Sequence, residues 1–236
     1  MIYITGDTHG LLDVLKFESP YFSQKKELTK QDYVIIAGDF GGIWDGGYRD
    51  EKTLDFFSQQ PFTTLFVDGN HENFDLLNAY PVEEWNGGKI HKIREDIIHL
   101  MRGQIYDLQG HTYFTFGGGV SIDKSLRTEH INWWREEYSS FSEKREAMIN
   151  LEKHGNNIDF IITHACPETI KNNDLARCIS LRGTKCDTEH FLDTILDRVS
   201  YKTWFCGHYH TDLYFENRKM LFLYQEIVKP IEISAW

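Results

Sequence analysis

Seven side chains of this chain carry ligand chemistry, and they sit on five short islands marked by glycine or proline. The islands are Gly6-Asp7-Thr8-His9-Gly10, Gly38-Asp39, Gly69-Asn70-His71-Glu72, Thr163-His164-Ala165-Cys166-Pro167 and Gly207-His208-Tyr209-His210. The donors are Asp7, His9, Asp39, Asn70, His164, His208 and His210. Carboxylate, carboxamide and imidazole suit borderline divalent metals such as Mn, Fe or Zn. Seven of them supply enough ligands for two ions, the requirement of a dinuclear phosphoester-cleaving site. Asp7 and His9, two residues apart, can grip one cation from one loop. Asp39 has two oxygens and can bridge two cations about 3.5–4 Å apart. Asn70 adds a neutral oxygen, His164 and His208 complete the second ion, and His210 returns to the first. The bridging position is left to water, whose pKa falls towards 7 beside such ions, so a hydroxide there can attack phosphorus in line. His71, next to a ligand, is badly placed to bind the same ion. It reads as a general acid for the leaving oxygen or as a contact to phosphate.

Most islands follow a run of β-formers, which must position them. Residues 2–5, 33–37 and 63–67 are short apolar runs ending at Gly6, Gly38 and Asp68-Gly69. Such runs lack alternation, so both faces are covered, as in a parallel sheet with crossover helices. Asp7, Asp39 and Asn70 are spaced by 32 and 31 residues, about one βαβ unit each. Ligands in such sheets bind beyond the carboxyl ends of the strands, so three motifs should converge on one edge. Helices are expected near residues 11–17, 50–59, 73–79, 142–153 and 189–199. The runs 97–100, 104–108 and 112–116, separated by glycine-containing turns, predict antiparallel hairpins. Residues 159–162 should deliver His164 and residues 203–206 should deliver His208 and His210, with hairpin strands at 213–215 and 220–224 closing the fold. Units of βαβ first and hairpins later fit two packed sheets with helices outside.

Bulk properties agree with one domain over residues 1–236, without a linker, repeat or apolar run of transmembrane length. The apolar fraction of 41% is ample for a packed core. Cys166, Cys178, Cys186 and Cys206 show no CxxC pair, and Cys178 lacks the Arg that would complete C-x5-R, so reduced thiols are expected. With the first motif close behind Met1, a cytoplasmic location is expected and no membrane partner. A net charge of −11 argues against non-specific binding of long nucleic acid. Two divalent ions would instead concentrate positive potential locally and draw a phosphate ester to the site. His91, His99, His111, His130, His154 and His190 are read as structural.

Taken together, the islands resemble the calcineurin-like metallophosphoesterase family, whose pattern is GDxHG, GDxxDRG, GNH[ED], HxxP and GHxH. The matches span residues 6 to 210. The resemblance implies an α/β fold, a four-layer α/β/β/α sandwich of two mixed sheets flanked by helices, and hydrolysis of a phosphoester with two divalent ions. Mn is the first expectation for those ions, with Fe, Zn, Co or Ni as alternatives. It implies Asp7, His9, Asp39 and His210 on one ion and Asp39, Asn70, His164 and His208 on the other, with His71 and Asp39 catalytic and Asn70 and His71 meeting substrate.

One departure bears on substrate. Where the phosphoprotein phosphatases of the family have GDxxDRG, Gly42 replaces the Asp that orients the catalytic His and Ile43 replaces the Arg that clamps a terminal phosphate. A bidentate Arg favours a dianionic monoester, so its loss tilts the reading towards phosphodiesters of a nucleotide or RNA end. The competing readings are a monoesterase acting on a small molecule or phosphoprotein, a nuclease acting on short ends, and a non-catalytic scaffold. Asp45, Asp68 and Glu72 are candidates to orient His71. Arg127, after the glycine run 117–119, is a candidate replacement clamp, against the plainer reading of a glycine turn. Trp133-Trp134 reads as core or lid packing before an aromatic wall for a base, and Arg177, Arg182 and Lys185 as a solvated basic loop.

Overall fold

The computed structural model describes residues 1–18, 20–181 and 186–230. Its strands are β1 (Ile2–Thr5), β2 (Tyr33–Ile36), β3 (Thr63–Phe66), β4 (Val82–Trp85), β5 (Gly88–Arg94), β6 (Ile97–Leu100), β7 (Gln104–Leu108), β8 (His111–Phe116), β9 (Asn157–Thr163), β10 (Ser200–Cys206), β11 (Leu213–Phe215) and β12 (Met220–Phe222). The α-helices are α1 (Tyr48–Ser58), α2 (Phe74–Leu77), α3 (Phe141–Lys153), α4 (Glu168–Asn173) and α5 (Asp187–Arg198). Two six-stranded mixed sheets result, ordered β1-β2-β3-β6-β5-β4 and β11-β12-β10-β9-β8-β7.

Register explains the unbroken apolar runs. Ile4, Ile35 and Leu65 lie side by side across β1, β2 and β3 and turn into the core between the sheets. Tyr3, Val34 and Phe66 point the other way, into a second core with Leu54 and Phe57 of α1. A third core joins Ile161 and Trp204 of the other sheet to Leu151 of α3 and Leu192 of α5. Three apolar interfaces separate four layers: helices, sheet, sheet, helices. Each fully buried Leu, Ile or Phe contributes roughly 1.5–3 kcal/mol, so the inter-sheet core, with the cross-sheet bonds from His164 to the Ala37 carbonyl and from His208 to Asp7, holds the two site-bearing edges together. Helix α3 starts at a full capping box between Ser140 and Glu143.

Some expectations need correction. Residues 97–100 form no hairpin with 104–108: β6 pairs parallel with β3 and antiparallel with β5, while β7 begins the second sheet with β8. The missed partner is the hairpin β4–β5, whose first strand is largely exposed and therefore shows no apolar pattern. The expected helix over 11–17 is a turn followed by a single 3-10 turn, Val14–Phe17. The closing strands are present, although β12 also pairs parallel with β10.

Candidate active site

All five islands begin within a few residues of a strand's carboxyl end, on β1, β2, β3, β9 and β10. The two sheets face each other there, so donors from both meet. Nε2 of His9 lies 3.3 Å from Oδ2 of Asp39, and Nε2 of His164 lies 3.3 Å from Oδ1 of the same carboxylate. Nε2 of His164 also lies 3.2 Å from Oδ1 of Asn70 and 3.1 Å from Nδ1 of His208. Nε2 of His210 is 3.1 Å from Oδ2 of Asp7. Ligand atoms of Asp7, His9 and His210 lie within 4.8 Å of one another, as do those of Asp39, His164 and His208, and those of His9, Asp39 and His71. Asp39 is central to the arrangement.

The local backbone is bent to make these approaches. His9, Asp39, His208 and His210 have φ of 45°, 49°, 68° and 48°. A non-glycine residue in this left-handed region costs about 1–2 kcal/mol; four at one site mark strain held by its surroundings. Glycine is required beside them. A Cβ on Gly38 would sit 2.1 Å from Nδ1 of His164, and one on Gly69 would sit 2.0 Å from Oδ1 of Asp39.

The donor set fits divalent cations on electrostatic grounds. Asp7 and Asp39 are both buried, and Oδ2 of Asp7 has no well-formed hydrogen bond beyond its ion-pair contact with His210. Burial opposes the charge of Asp39, yet the positive His164 and His9 hold its carboxyl well below the usual carboxylate range. Conversely, burial disfavours protonated His9, but its contact with Asp39 lifts it to about 9, and the same carboxylate lifts His164 to about 10. Burial and the charge of His164 push His208 down to about 3. The carboxylates thus draw protons onto two imidazoles. Two cations would satisfy the same charge and leave all imidazoles as neutral donors.

Other candidates are placed as follows. The backbone N–H of His71 donates to Oδ1 of Asp39 at 2.8 Å, and its ring stands 5.1 Å from that of His9. Burial lowers its pKa. None of the three carboxyls considered for orienting it does so. Asp45 accepts from the N–H of Gly47, Asp68 pairs with Arg102 and His99, and Glu72 accepts from the N–H groups of Gly41 and Gly69. Arg127 lines a groove of about 440 Å³ together with Asp39, Asn70, His71, His208 and His210. Ile43 is buried in the core instead of facing the site. Trp134 packs in that core too. Arg177 is exposed, and Arg182 and Lys185 lie outside the described residues.

Several site residues escaped the sequence reading. Asp13 holds Nδ1 of His9 at 2.7 Å, which its i,i+4 spacing could have suggested. The ring of Tyr224 stacks on His210 at 4.7 Å and 9°, and its hydroxyl donates to Asp13. Buried Lys16 donates to the carbonyls of Gly6, Asp7 and Tyr224. No local signal marks those last two.

A four-layer fold that gathers carboxylates, a carboxamide and imidazoles where its strands end is that of a phosphoester hydrolase. Residues 1–212 match the family described as calcineurin-like phosphoesterase, and the chain belongs to that family. Lariat debranching enzyme A from Xenopus laevis is 32% identical over 189 residues, which are 72% of this chain and 33% of that protein. The lariat debranching enzyme of Schizosaccharomyces pombe is 24% identical over 233 residues, 88% of this chain and 47% of that protein. The chain therefore spans less than half the length of these curated relatives. A phosphopantetheinyl hydrolase structure from Mycobacterium tuberculosis superposes with a TM-score of 0.44 at 14% identity, covering 99% of this chain and 91% of that one; the fit is too loose to argue from.

Proposed function

We propose that this chain hydrolyses phosphodiesters, with a nucleotide or RNA end as substrate, at a centre of two divalent cations. Mn is the first candidate, with Fe, Zn, Co or Ni as alternatives. The observation that carries the reading is that the seven donors form one connected cluster, with Asp39 shared by the His9 and the His164–His208 groups, Asn70 beside His164, and Asp7 and His210 beside His9. A non-catalytic scaffold would have no need to keep them.

Asp7, His9, Asp39 and His210 would hold one cation, and Asp39, Asn70, His164 and His208 the other. When bound, the cations supply positive charge for the phosphoryl oxygens and acidify water towards neutral pH. The chain does the rest. Asp39 is held by the His71 N–H, His9 by Asp13 and His164 by the Ala37 carbonyl, so the donors are oriented before substrate arrives. His71 donates a proton to the leaving oxygen or contacts the phosphate. Asn70, turned between His164 and Ser121, shares that contact.

The lean to diesters rests on Ile43 and on the relatives named for lariat debranching, a phosphodiester hydrolysis. Arg127 favours the second reading, a monoesterase, because it borders His71 in the same groove and could clamp a terminal phosphate. Four free thiols accord with a cytoplasmic location. No helix among the described residues is long and apolar enough to cross a membrane.

Assay after Mn supplementation on p-nitrophenyl phosphate and bis(p-nitrophenyl) phosphate separates the readings. Higher kcat/KM on the diester is expected, and preference for the monoester would overturn the lean. Asp39→Asn should lose both metal and turnover; an active variant with normal metal content refutes the shared role of Asp39.

A further inference from the structure

A second groove opens on the α1 side of the centre. It holds about 430 Å³, within the ~300–1,000 Å³ of small-ligand sites. His71 lines this groove as well as the Arg127 groove, so the two run out from the same ring in different directions. A monoester would need one such groove. A diester has two arms.

The lining of the second groove is aromatic and basic: Trp44, Tyr48, Arg49 and Lys52, with Leu12 at the rim. Trp44 is built as a fixed wall. Its ring stands 6.0 Å from that of His71 at 31° and meets Trp134 edge-on at 5.3 Å. Its backbone N–H donates to buried Asp50 at 2.7 Å, and its carbonyl accepts from Asn73 at 2.8 Å. Tyr48 and Leu12 are large apolar side chains left 75% and 77% exposed. Lys52 lies 5.1 Å over the Tyr48 ring. In a chain of net charge −11, neither Arg49 nor Lys52 forms an ion pair among the described residues. The surrounding carboxylates are turned to other partners: Asp13 to His9, Asp50 to three backbone N–H groups, and Glu51 to Arg94. Aromatic faces beside unpaired cations are the elements that hold a base and a backbone phosphate of single-stranded nucleic acid.

We propose that the groove formed by Trp44, Tyr48, Arg49 and Lys52 binds the nucleoside on one arm of the scissile diester, with the base against the aromatic rings and the next phosphate on the two cations. This rests on the phosphodiesterase reading above. It makes Tyr48, Arg49 and Lys52 specificity-determining residues, with no part in the bond-breaking step.

The test uses the Mn-loaded protein and four substrates: p-nitrophenyl phosphate, bis(p-nitrophenyl) phosphate, the dinucleotide ApA and the trinucleotide ApApA. Tyr48→Ala should leave metal content unchanged and lose on the order of tenfold in kcat/KM on both oligonucleotides, a stacking contribution, with a smaller loss on bis(p-nitrophenyl) phosphate, whose single rings offer less stacking area than a purine. Arg49→Ala with Lys52→Ala should spare bis(p-nitrophenyl) phosphate and ApA but weaken ApApA. It should also flatten the dependence of log kcat/KM on log salt by about 0.7, the counterion release of one phosphate contact on a single strand. Losses of equal size on all substrates would mean a structural role, and unchanged kinetics on the oligonucleotides would mean an unused groove; either overturns the subsite alone. A wild-type protein that hydrolyses p-nitrophenyl phosphate and no diester overturns the phosphodiesterase reading, and the subsite with it.

Discussion

His71 is the residue whose chemistry the surrounding donors leave open. Its main-chain N–H supports Asp39, so removing the side chain leaves that hydrogen bond in place. His71→Ala should therefore retain metal and lose about 10²–10⁴-fold in rate on a diester with a poor leaving group, the usual worth of a positioned acid. On a p-nitrophenyl ester, whose leaving group needs no proton, the loss should be far smaller. Equal loss on both, measured beside metal content, assigns His71 to phosphate contact instead. The residue scale is also where sequence was most informative. Asp7, His9, Asp39, Asn70, His164 and His208 stood out as candidate ligands because each sits beside a glycine or closely precedes a proline, and His210 because it follows His208 by two residues. The glycines are compelled by contact: Gly38 presses on the His164 ring and Gly69 on the Asp39 carboxylate.

Between elements, a buried polar chain links the two halves of the first sheet. Arg102 pairs with Asp68 at the end of β3, Asp68 lies 3.2 Å from Nε2 of His99 on β6, and Nδ1 of His99 meets Nδ1 of His91 on β5 at 3.1 Å. Arg102 also donates to the carbonyls of Glu136 and Tyr138, which ties the segment after Arg127 to the loop after β3 that carries Asp68 and Asn70. Burial, with the neighbouring His99, pushes His91 down to about 4. Because that lies below the ordinary 6.5, the unfolded chain binds more protons between the two values. The stabilisation is intact above about pH 6.5 and is lost as pH falls towards 4. Between pH 7 and 5 the native protein should lose about 1–2 kcal/mol more than His91→Gln, read from urea midpoints. Equal losses refute it. The sequence reading set His91 and His99 aside as structural, and both are buried in this chain; it missed β4 because an exposed edge strand carries no apolar alternation, and with it the hairpin partner β5.

For the whole molecule, two buried carboxylates and four left-handed donor residues oppose folding until compensated. Cations that bind only the folded chain stabilise it by about 2.7 kcal/mol at a hundredfold excess over Kd. Chelation should therefore lower Tm by about 5–10 °C for a chain of 236 residues. The Asp39→Asn variant should show little of this shift. Calorimetry should record one cooperative transition, because the inter-sheet core is shared by both halves of the chain; two resolved transitions would refute the reading of residues 1–236 as a single domain.

Short-range order was decided by the chain itself: which residues are donors, which strands deliver them, and that both faces of those strands are covered. Each of these depends on neighbours a few residues away, through turn geometry and apolar periodicity. Apart from Asp13, four residues from His9, three-dimensional packing decided what supports the donors. Lys16 reaches the carbonyl of Tyr224 across 208 residues, Tyr224 reaches Asp13 across 211 and Arg102 reaches Asp68 across 34. It alone also set two grooves beside one histidine. Contacts of that range leave no local pattern, since any polar side chain of suitable length at the right point of the fold would serve.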